Sequence, residues 1–400
     1  MFILYKNKEL ILKRAFFYIA LFIFISDFSF CTIISNVDSK GIWVSERNLI
    51  DSLKIDSLVT FSKEKNINKI FFKVRSNGEA FYQSELVSKA EILDSLFDPL
   101  HYLLKKTENL NIEIHAWLNT YLLWNNIYFP QNIEHFYYTC SDCLEADING
   151  KSDSKIELTQ NQSKEWEGVF LSPIHPDVND YLLTIINEII NNYNIDGIHL
   201  DYIRYQDSFY GYNKKGIDTF MNQFDVDPRD INRGIISTRF GYSESFIDSA
   251  IYNWDNFRTN KITELVRSIK YSILNDSINI QLSASVKPNY FNAKFRWYQD
   301  WMSWIDENII DFIVIKNFSS NLSEFNTNNK IISSKLSNFN QKNKIHIGIS
   351  AYESPSILSD KILLSRLQGY NHFTIYEYDL GIDSLNFYDS IFNVLNFKLK

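Results

Sequence analysis

Several common functional motifs are absent from this 400-residue sequence. No G-x-G-x-x-G follows an apolar run, and neither G-x-x-x-x-G-K-[ST] nor G-x-S-x-G occurs. These absences argue against a dinucleotide site, a phosphate-binding loop and the nucleophile turn of α/β-hydrolases. We therefore expect no nucleotide cofactor, and nothing else in the sequence calls for a cofactor.

Clustered positive charge is also lacking. The net charge is -8, and lysine and arginine are spread along the chain with no basic cluster beyond the first 14 residues. Nucleic acid is therefore not an expected partner. Aromatic residues make up 16% of the chain, and flat rings with polar groups suit a surface that stacks against sugars. A neutral or sugar-like ligand fits this composition better.

Cysteine is scarce, with only three residues in the chain. Cys140 and Cys143 have the C-x-x-C spacing, but no second such pair and no histidine pair completes a zinc site. We expect no metal. If the protein is exported, a local disulfide that stiffens a loop is the simplest outcome.

The N-terminal apolar run is too short to span a membrane. Lysines and Arg14 precede about twelve apolar residues that end at Asp27, a pattern typical of a signal sequence. We predict a signal sequence over residues 1–30, a linker over 31–40 and one domain over 41–400. Cys31 follows F-S-F and resembles a lipid-attachment site, although Phe30 replaces the expected small residue, so lipidation remains open. The expected location is exported: periplasmic, outer-membrane lipoprotein or cell surface.

Eight apolar, β-prone segments alternate with segments of helical spacing. Repeated strand and helix units predict parallel pairing, and eight of them predict a closed (β/α)8 TIM barrel. Long loop insertions follow strands three and four, at about 120–172 and 207–249. The predicted strands are 41–44, 67–75, 112–119, 194–205, 278–286, 310–318, 344–351 and 371–378.

The fourth strand carries polar residues at fixed offsets where a buried strand should have none. Strand alternation places His199, Asp201 and Ile203 on one face. In a parallel barrel the C-terminal ends of the strands form the mouth where ligands bind, so we predict that Asp201 is catalytic. The alternative is a structural ion pair between Asp201 and Arg204.

Glycoside hydrolysis generally needs two carboxyl groups, and several acids are candidates for the second. The predicted barrel mouth offers Asp300 after strand five, Glu353 after strand seven and Glu377 near the end of strand eight, and we rank them in that order. Arginines that can donate two parallel hydrogen bonds, other polar side chains and rings that can stack on sugars complete the predicted site. For His115 and for the rings, the alternative is that they only pack in the core. The predicted substrate-binding residues are Arg75, His115, Trp117, Asn119, His199, Arg204, Tyr205 and Trp301.

Ordered motifs along the chain resemble the glycosyl-hydrolase-like 10 family. This resemblance implies a bacterial, exported TIM-barrel glycosidase, linked in some members to the glycan strands of peptidoglycan. The motifs are G-I-W-V at 41–44, F-K-V-R-S-N-G-E-A-F-Y-Q-S at 72–84, F-D-P-L at 97–100, H-A-W-L-N at 115–119, L-S-P-I-H-P-D-V at 171–178, D-G-I-H-L-D-Y-I-R-Y at 196–205 and Y-Q-D-W at 298–301.

The sequence also departs from that family's pattern. Strand six ends I-K-N-F, so Lys316 and Phe318 change one wall of the expected cleft, and strand five reads S-A-S-V-K-P. Ile203 stands where chitinases carry their glutamate, so the chitinase mechanism does not transfer. The expected function is hydrolysis of a cell-wall or other polysaccharide by carboxylate acid/base chemistry. The alternatives are a non-catalytic glycan-binding barrel and a lipid-anchored scaffold.

Overall fold

The computed structural model describes residues 37–153, 166–275, 279–336, 339–378 and 385–396. The predicted signal sequence, Cys31 and the first part of the linker lie outside these ranges. None of the helices within them is both long and apolar enough to cross a membrane.

Eight parallel strands form a closed barrel, as the strand and helix alternation predicts. Each strand pairs with its sequence neighbours, and the first strand pairs with both the second and the last, which closes the sheet. The strands are β1 Ser39–Val44, β2 Lys69–Ser76, β3 Glu113–Asn119, β4 Gly197–Asp201, β5 Gln281–Val286, β6 Phe312–Lys316, β7 Ile345–Ser350 and β8 His372–Tyr376.

Alternation along the strands separates two apolar cores. The outward faces of the strands pack against the surrounding helices in the large outer core. The main helices are Ser52–Glu64, Pro99–Thr107, Val178–Asn192, Glu244–Asn275, Leu322–Lys335, Pro355–Leu367 and Leu385–Asn396, with Tyr290–Arg296 and Trp301–Asp306 between β5 and β6. Inside the barrel, one cluster is formed by Trp43, Phe71, Trp117, Phe312 and Val314.

Strand β4 is shorter than the sequence predicts. It ends at Asp201, and Tyr202 has a left-handed backbone with φ of 50°. This turn breaks the alternation, so the prediction that Ile203 shares the face of His199 and Asp201 is wrong. Ile203 is instead fully buried in the outer core. The turn leaves Asp201 as the last inward-facing residue of its strand.

The long segments after β3 and β4 contain short elements of their own. Leu122–Trp124 pairs with Val169–Phe170 as a small antiparallel ribbon, which brings residues just before Val169 back to the barrel mouth. The predicted disulfide between Cys140 and Cys143 is present in this segment. Helices Phe136–Thr139, Lys214–Phe224 and Pro228–Asn232 complete the described parts of the two insertions.

Candidate functional site

A cavity of about 270 Å³ lies at the C-terminal ends of the barrel strands. This is the end at which parallel barrels place their ligands. Its residues come from β4, β5, β6 and β8, from the segments that follow β4, β5 and β6, and from the loop before Val169. The lining residues are Glu167, Asp201, Tyr202, Arg204, Ser285, Lys287, Gln299, Lys316, Phe318 and Tyr376.

Asp201 is held by three neighbours. Lys316 Nζ lies 2.7 Å from both carboxylate oxygens of Asp201. Trp117 Nε1 donates to Oδ2 at 3.1 Å, and the backbone amide of Tyr202 donates to Oδ1 at 2.9 Å. Asp201 does form an ion pair, but its partner is Lys316, so the alternative that paired it with Arg204 is wrong.

Positive charge decides the ionisation of Asp201. Burial alone would raise the pKa of this carboxyl, but the charges of Lys316 and Lys73, together with the Lys316 hydrogen bond, lower it below its ordinary value. Lys73 lies on β2, donates to Asn119 Oδ1 at 2.7 Å and stands 3.4 Å from the centre of the Trp117 ring. Burial lowers the pKa of Lys73 to about 8. Asp201 is consequently ionised at neutral pH.

His199 lies beneath Asp201 and is fully buried. Ser283 and Ser285 on β5 contact its two ring nitrogens at 2.9 Å, and Trp43 Nε1 donates to Nε2 at 3.2 Å. The tryptophan donor implies that Nε2 carries no proton. Burial lowers the pKa of His199 well below its usual range. The ring is neutral and fixed in place, so it supports the cavity from below and is not exposed to a ligand.

A second carboxylate, Glu167, reaches the cavity from the loop. Arg204 Nη2 donates to Glu167 Oε2 at 2.6 Å, and Lys287 Nζ lies 3.8 Å from Oε1. Burial lowers the pKa of Lys287 to about 8. Gln299 joins this side to β5, since its Oε1 accepts from the backbone amide of Lys287 at 3.0 Å. The cavity thus contains Asp201 and Glu167, each with its own cations.

The three predicted partner carboxyls do not line this cavity. Asp300 bonds with Lys294 at 2.7 Å and with Tyr290, and Glu353 bonds with the buried Lys361. Glu377 accepts from Arg47 and Tyr352, each at 2.9 Å. Sequence position placed these acids after the correct strands, but each one finds a local partner outside the cavity.

Three predicted polar binding residues are also buried away from the cavity. Arg75 donates to the carbonyl oxygens of Asn119 and Thr120, because a β-bulge between Lys73 and Arg75 turns it out of the barrel interior. The Asn119 side chain accepts from Lys73. His115 lies at the opposite barrel end with Lys69 Nζ 2.9 Å away, and burial lowers its pKa to about 4. The structure therefore does not bring these three residues to the cavity.

The predicted sugar platforms are core residues instead. Tyr205 and Trp301 are fully buried, and Trp117 is 2% exposed with its indole nitrogen on Asp201. The rings of Tyr205 and Trp301 pack in the outer core, and the ring of Trp117 packs in the cluster inside the barrel. The partly exposed rings that line the cavity are Tyr202, Phe318 and Tyr376. Of the predicted set, Asp201 and Arg204 line the cavity and His199 lies beneath it.

A larger cavity of about 550 Å³ lies elsewhere, near the N-terminal ends of β3 and β4. Asp196, which lines it, accepts from the backbone amide of Ile114 and so stabilises the strand start. That end of a barrel contributes to stability and does not normally carry the chemistry. The smaller cavity at Asp201 is therefore the candidate site.

The profile of the Glycosyl hydrolase-like 10 family matches residues 35–362. The chain belongs to this family. Among curated relatives, glycosyl hydrolase YngK of Bacillus subtilis (strain 168) is 22% identical over 307 residues, which cover 70% of this chain and 51% of YngK. Glycosyl hydrolase DigH of Escherichia coli (strain K12) is 25% identical over 186 residues, 44% of this chain and 38% of DigH. The chain thus spans about half or less of these relatives.

Solved structures show the same fold at low sequence identity. The PgaB (BpsB) glycoside hydrolase domain from Bordetella bronchiseptica has a TM-score of 0.66 at 10% identity, covering 90% of this chain and 99% of that domain. Alpha-L-fucosidase isoenzyme 2 from Paenibacillus thiaminolyticus has a TM-score of 0.57 at 13% identity, covering 90% of this chain and 49% of that one. These similarities support the TIM barrel of this family member.

Sequence reasoning missed Lys73 and Glu167, and it noted Lys316 only as part of one wall of the cleft, without its contact to Asp201. Lys73 is two residues after the inward-facing Phe71, and Lys316 is two residues after the inward-facing Val314. Strand periodicity places both lysines on the inward face, so it was a usable signal. Glu167 had no such signal, because it belongs to a loop without periodicity. Only the ribbon that pairs Val169–Phe170 with Leu122–Trp124 brings it to the mouth.

Proposed function

We propose that this protein hydrolyses glycosidic bonds of a polysaccharide. The observation that carries the proposal is that two carboxylates, Asp201 and Glu167, share one cavity at the C-terminal ends of the barrel strands. Two carboxyl groups that flank the bond are the usual requirement of glycoside hydrolysis. Partly exposed rings beside them suit the apolar faces of sugars. Membership of a glycosyl hydrolase-like family supports the same reaction class.

The two acids receive different roles in this proposal. Asp201 is held ionised by Lys316 and Lys73, so it cannot be the proton donor, and it acts as nucleophile, base or stabiliser of positive charge on the sugar. Glu167 is the other carboxyl in the cavity, and we assign to it the second carboxyl role that glycoside hydrolysis requires. Arg204 and Lys287 orient Glu167 and contact ligand hydroxyls.

The test of the proposal is the variant Asp201→Asn. It keeps the size of the side chain and removes its charge, so release of reducing ends from cell-wall glycans should fall at least about a hundredfold while glycan binding persists. Asp311→Asn is the matched control, since Asp311 pairs with Lys270 at the other end of the barrel. Equal cleavage by the parent and by Asp201→Asn would remove Asp201 from the reaction.

A second candidate function is glycan binding without cleavage. The observation that favours it is the Lys316 ammonium, which lies on both oxygens of Asp201 where a reacting sugar would have to approach. If the parent and Asp201→Asn both bind glycan strands and neither releases reducing ends, the protein is a binding module.

We further propose that the substrate is a bacterial cell-wall or other extracellular glycan and that the protein acts outside the cytoplasm. The charged and apolar pattern of residues 1–30 supports export, with lipidation at Cys31 as one form of the mature N-terminus. Mass spectrometry of the protein from its native cells should find a chain that begins near Cys31. An intact Met1 on protein recovered from the cytosol would contradict export.

A further inference from the structure

All hydrogen-bonding positions of the Asp201 carboxylate are occupied within the protein. A carboxylate offers about four lone-pair sites, two on each oxygen. Oδ1 accepts from the Tyr202 amide and from Lys316, and Oδ2 accepts from Trp117 Nε1 and from Lys316. A ligand can therefore approach Asp201 only if one of these three donors moves away.

Two of the donors are fixed and one is free to move. The Tyr202 amide belongs to the backbone turn that follows β4, and Trp117 is packed inside the barrel with 2% exposure. Lys316 ends β6, and 21% of its side chain is exposed, against 5% for Asp201. The lysine is therefore on the solvent side of the carboxylate, with the other two donors behind it.

Aromatic rings surround the lysine ammonium in its present position. Its Nζ lies 5.5 Å from the ring centre of Tyr202, 5.8 Å from that of Tyr376 and 5.9 Å from that of Trp43. Such cation–π contacts favour this position over full hydration. Tyr202 and Tyr376 also line the cavity, so a sugar stacked on these rings would compete with the ammonium for the same faces.

Asp201 keeps its orientation and its charge when the Lys316 side chain moves away. Trp117 and the Tyr202 amide would still fix its orientation, and the charge of Lys73 behind it would still favour the ionised form. Two lone pairs would then face the cavity. The carboxylate without Lys316 is consequently an oriented, ionised group with open acceptor positions, which is the state that the chemistry requires.

We propose that Lys316 is a positioning residue that covers Asp201 in the resting protein and must be displaced by a ligand before Asp201 can act. This Lys316 cover makes Asp201 selective, because only a ligand that offers acceptors to the ammonium and faces to the rings can open it. The consequence for turnover rests on the proposed hydrolytic role of Asp201. The contact by which Lys316 covers Asp201 is independent of that role, and it can be measured without any substrate.

The direct test is chemical labelling of Asp201 in the complete protein. The protonated carboxyl adds to a water-soluble carbodiimide and forms an O-acylisourea. The amine of glycine ethyl ester then attacks the acyl carbon, an amide forms, and the carbodiimide leaves as its urea. In Lys316→Met the loss of the paired cation raises the protonated fraction and opens the approach, so labelling of Asp201 at mildly acidic pH should rise at least about tenfold. Peptide mass spectrometry locates the label. Equal labelling in parent and variant would overturn the proposal.

The chain offers a matched control pair at the other end of β6. Lys270 Nζ lies 2.7 Å from both carboxylate oxygens of Asp311, the same arrangement as Lys316 on Asp201. Lys270→Met should increase labelling of Asp311 and leave Asp201 at the level of the parent. If Lys270→Met raised labelling of Asp201 as much as Lys316→Met does, the effect would come from net charge and the proposal would fail.

Two further variants protect the test against misfolding. Lys316→Arg keeps the cation and should keep Asp201 at the parent level of labelling, and Lys316→Gln replaces Lys316→Met if the latter does not fold. Circular dichroism of each sample establishes that labelling is read on folded protein. Increased labelling in Lys316→Arg equal to that in Lys316→Met would show that the cover is not the cation, against the proposal.

Turnover separates this proposal from the hydrolase proposal. With soluble peptidoglycan glycan strands as the probe, Lys316→Met should release reducing ends faster than the parent. If its labelling rises and no protein cleaves any glycan, the cover stands and the hydrolase proposal fails. If the parent cleaves and labelling does not change, the hydrolase proposal stands and the cover fails. Increased labelling with slower cleavage would make Lys316 part of the reaction, which also overturns its role as a cover.

Discussion

Asp201 and Glu145 are both buried carboxyls, and their surroundings push their pKa values in opposite directions. Asp201 is 4% exposed and Glu145 is not exposed at all, so burial disfavours the charge of both. Lys316 and Lys73 overcome burial at Asp201 and lower its pKa. Around Glu145 burial prevails and raises the pKa to about 7. The placement of cations, and not the depth of burial, decides which acid is ionised.

The surroundings of Glu145 include a second buried acid. Asp153 is directly opposite in a hairpin in which Ala146 pairs with Ser152, and burial raises its pKa well above the ordinary value. One oxygen of Glu145 accepts from the Ala146 amide and from Ser172 at 2.9 and 3.0 Å. Among the residues that the structure describes, Asp153 Oδ1 has no hydrogen-bond partner. Such a pair favours protonation, and it lowers stability when it ionises.

The largest expected effect on stability comes from removing the two lysines beside Asp201, which would leave it a buried carboxyl without nearby cations, like Glu145. In the double variant Lys73→Met/Lys316→Met, Asp201 keeps its burial and loses both cations. Removing the partner of a buried charge typically costs about 3–5 kcal/mol, so the free energy of unfolding at neutral pH should fall by about that amount. Urea denaturation of the parent, the two single variants and the double variant measures the loss and its distribution between the lysines.

The pH dependence of this loss follows from the two pKa directions. In the parent the folded-state pKa of Asp201 lies below the unfolded value, so its contribution to stability is present above the unfolded value and disappears in acid. In the double variant burial alone places the folded pKa above the unfolded one, so stability falls as pH rises through the unfolded value. The loss should therefore be smaller in acid than at neutral pH. A loss that is independent of pH would mean that packing, and not charge, is responsible.

A smaller effect on stability is expected from removing the buried carboxyl of Glu145. The folded pKa of Glu145 is raised from 4.5 to about 7, so between these pH values the folded state holds a proton that the unfolded state releases, and stability declines as pH rises. Glu145→Gln removes this decline and should raise the free energy of unfolding at neutral pH by up to about 3 kcal/mol. Thermal or urea unfolding across the acid-to-neutral range measures it.

Glu134→Gln is the control for Glu145→Gln, because Glu134 is an exposed acid in the same loop. This control should leave the slope of stability against pH unchanged. If Glu145→Gln destabilised the protein at neutral pH, the hydrogen bonds from Ala146 and Ser172 would be worth more than the cost of the buried charge.

The two environments also differ in how far the sequence reveals them. The barrel and the place of Asp201 follow from apolar periodicity, because an acid that ends a buried run falls at the barrel mouth. Lys316 was recognised as a departure at the end of strand six, but its pairing with Asp201 depends on a contact across the barrel. Asp300 and Glu353 were ranked as partners from strand order alone, which says nothing of local partners such as Lys294 and Lys361.

The acid pair had no signal in the sequence, and neither did Glu167. Glu145 and Asp153 belong to a long, polar loop in which acids are ordinarily solvated, so a buried pair there contradicts the normal expectation. The hairpin and the contacts to Phe170 and Ser172 help to bury them. Strand periodicity therefore located Asp201 at the cavity, but it did not show that Arg75, His115 and Asn119 turn to other partners, and it carried no information on the acids of the loop.

The smallest expected effect comes from the covalent link in the loop that carries the acid pair. Cys140 and Cys143 close a ring of only four residues, so replacing both with serine should lower the free energy of unfolding by at most about 2 kcal/mol. Cys143 is buried with its sulfur 3.8 Å from His175 Nδ1, where a serine hydroxyl can donate instead. Neither cysteine lines the cavity at Asp201. Turnover, and the pH dependence caused by Glu145, should both stay near the parent values, as measured by reducing-end release and by unfolding against pH. A hundredfold loss of turnover in the double serine variant would show that the loop positions Glu167 through this disulfide, and the two regions would then be one functional unit.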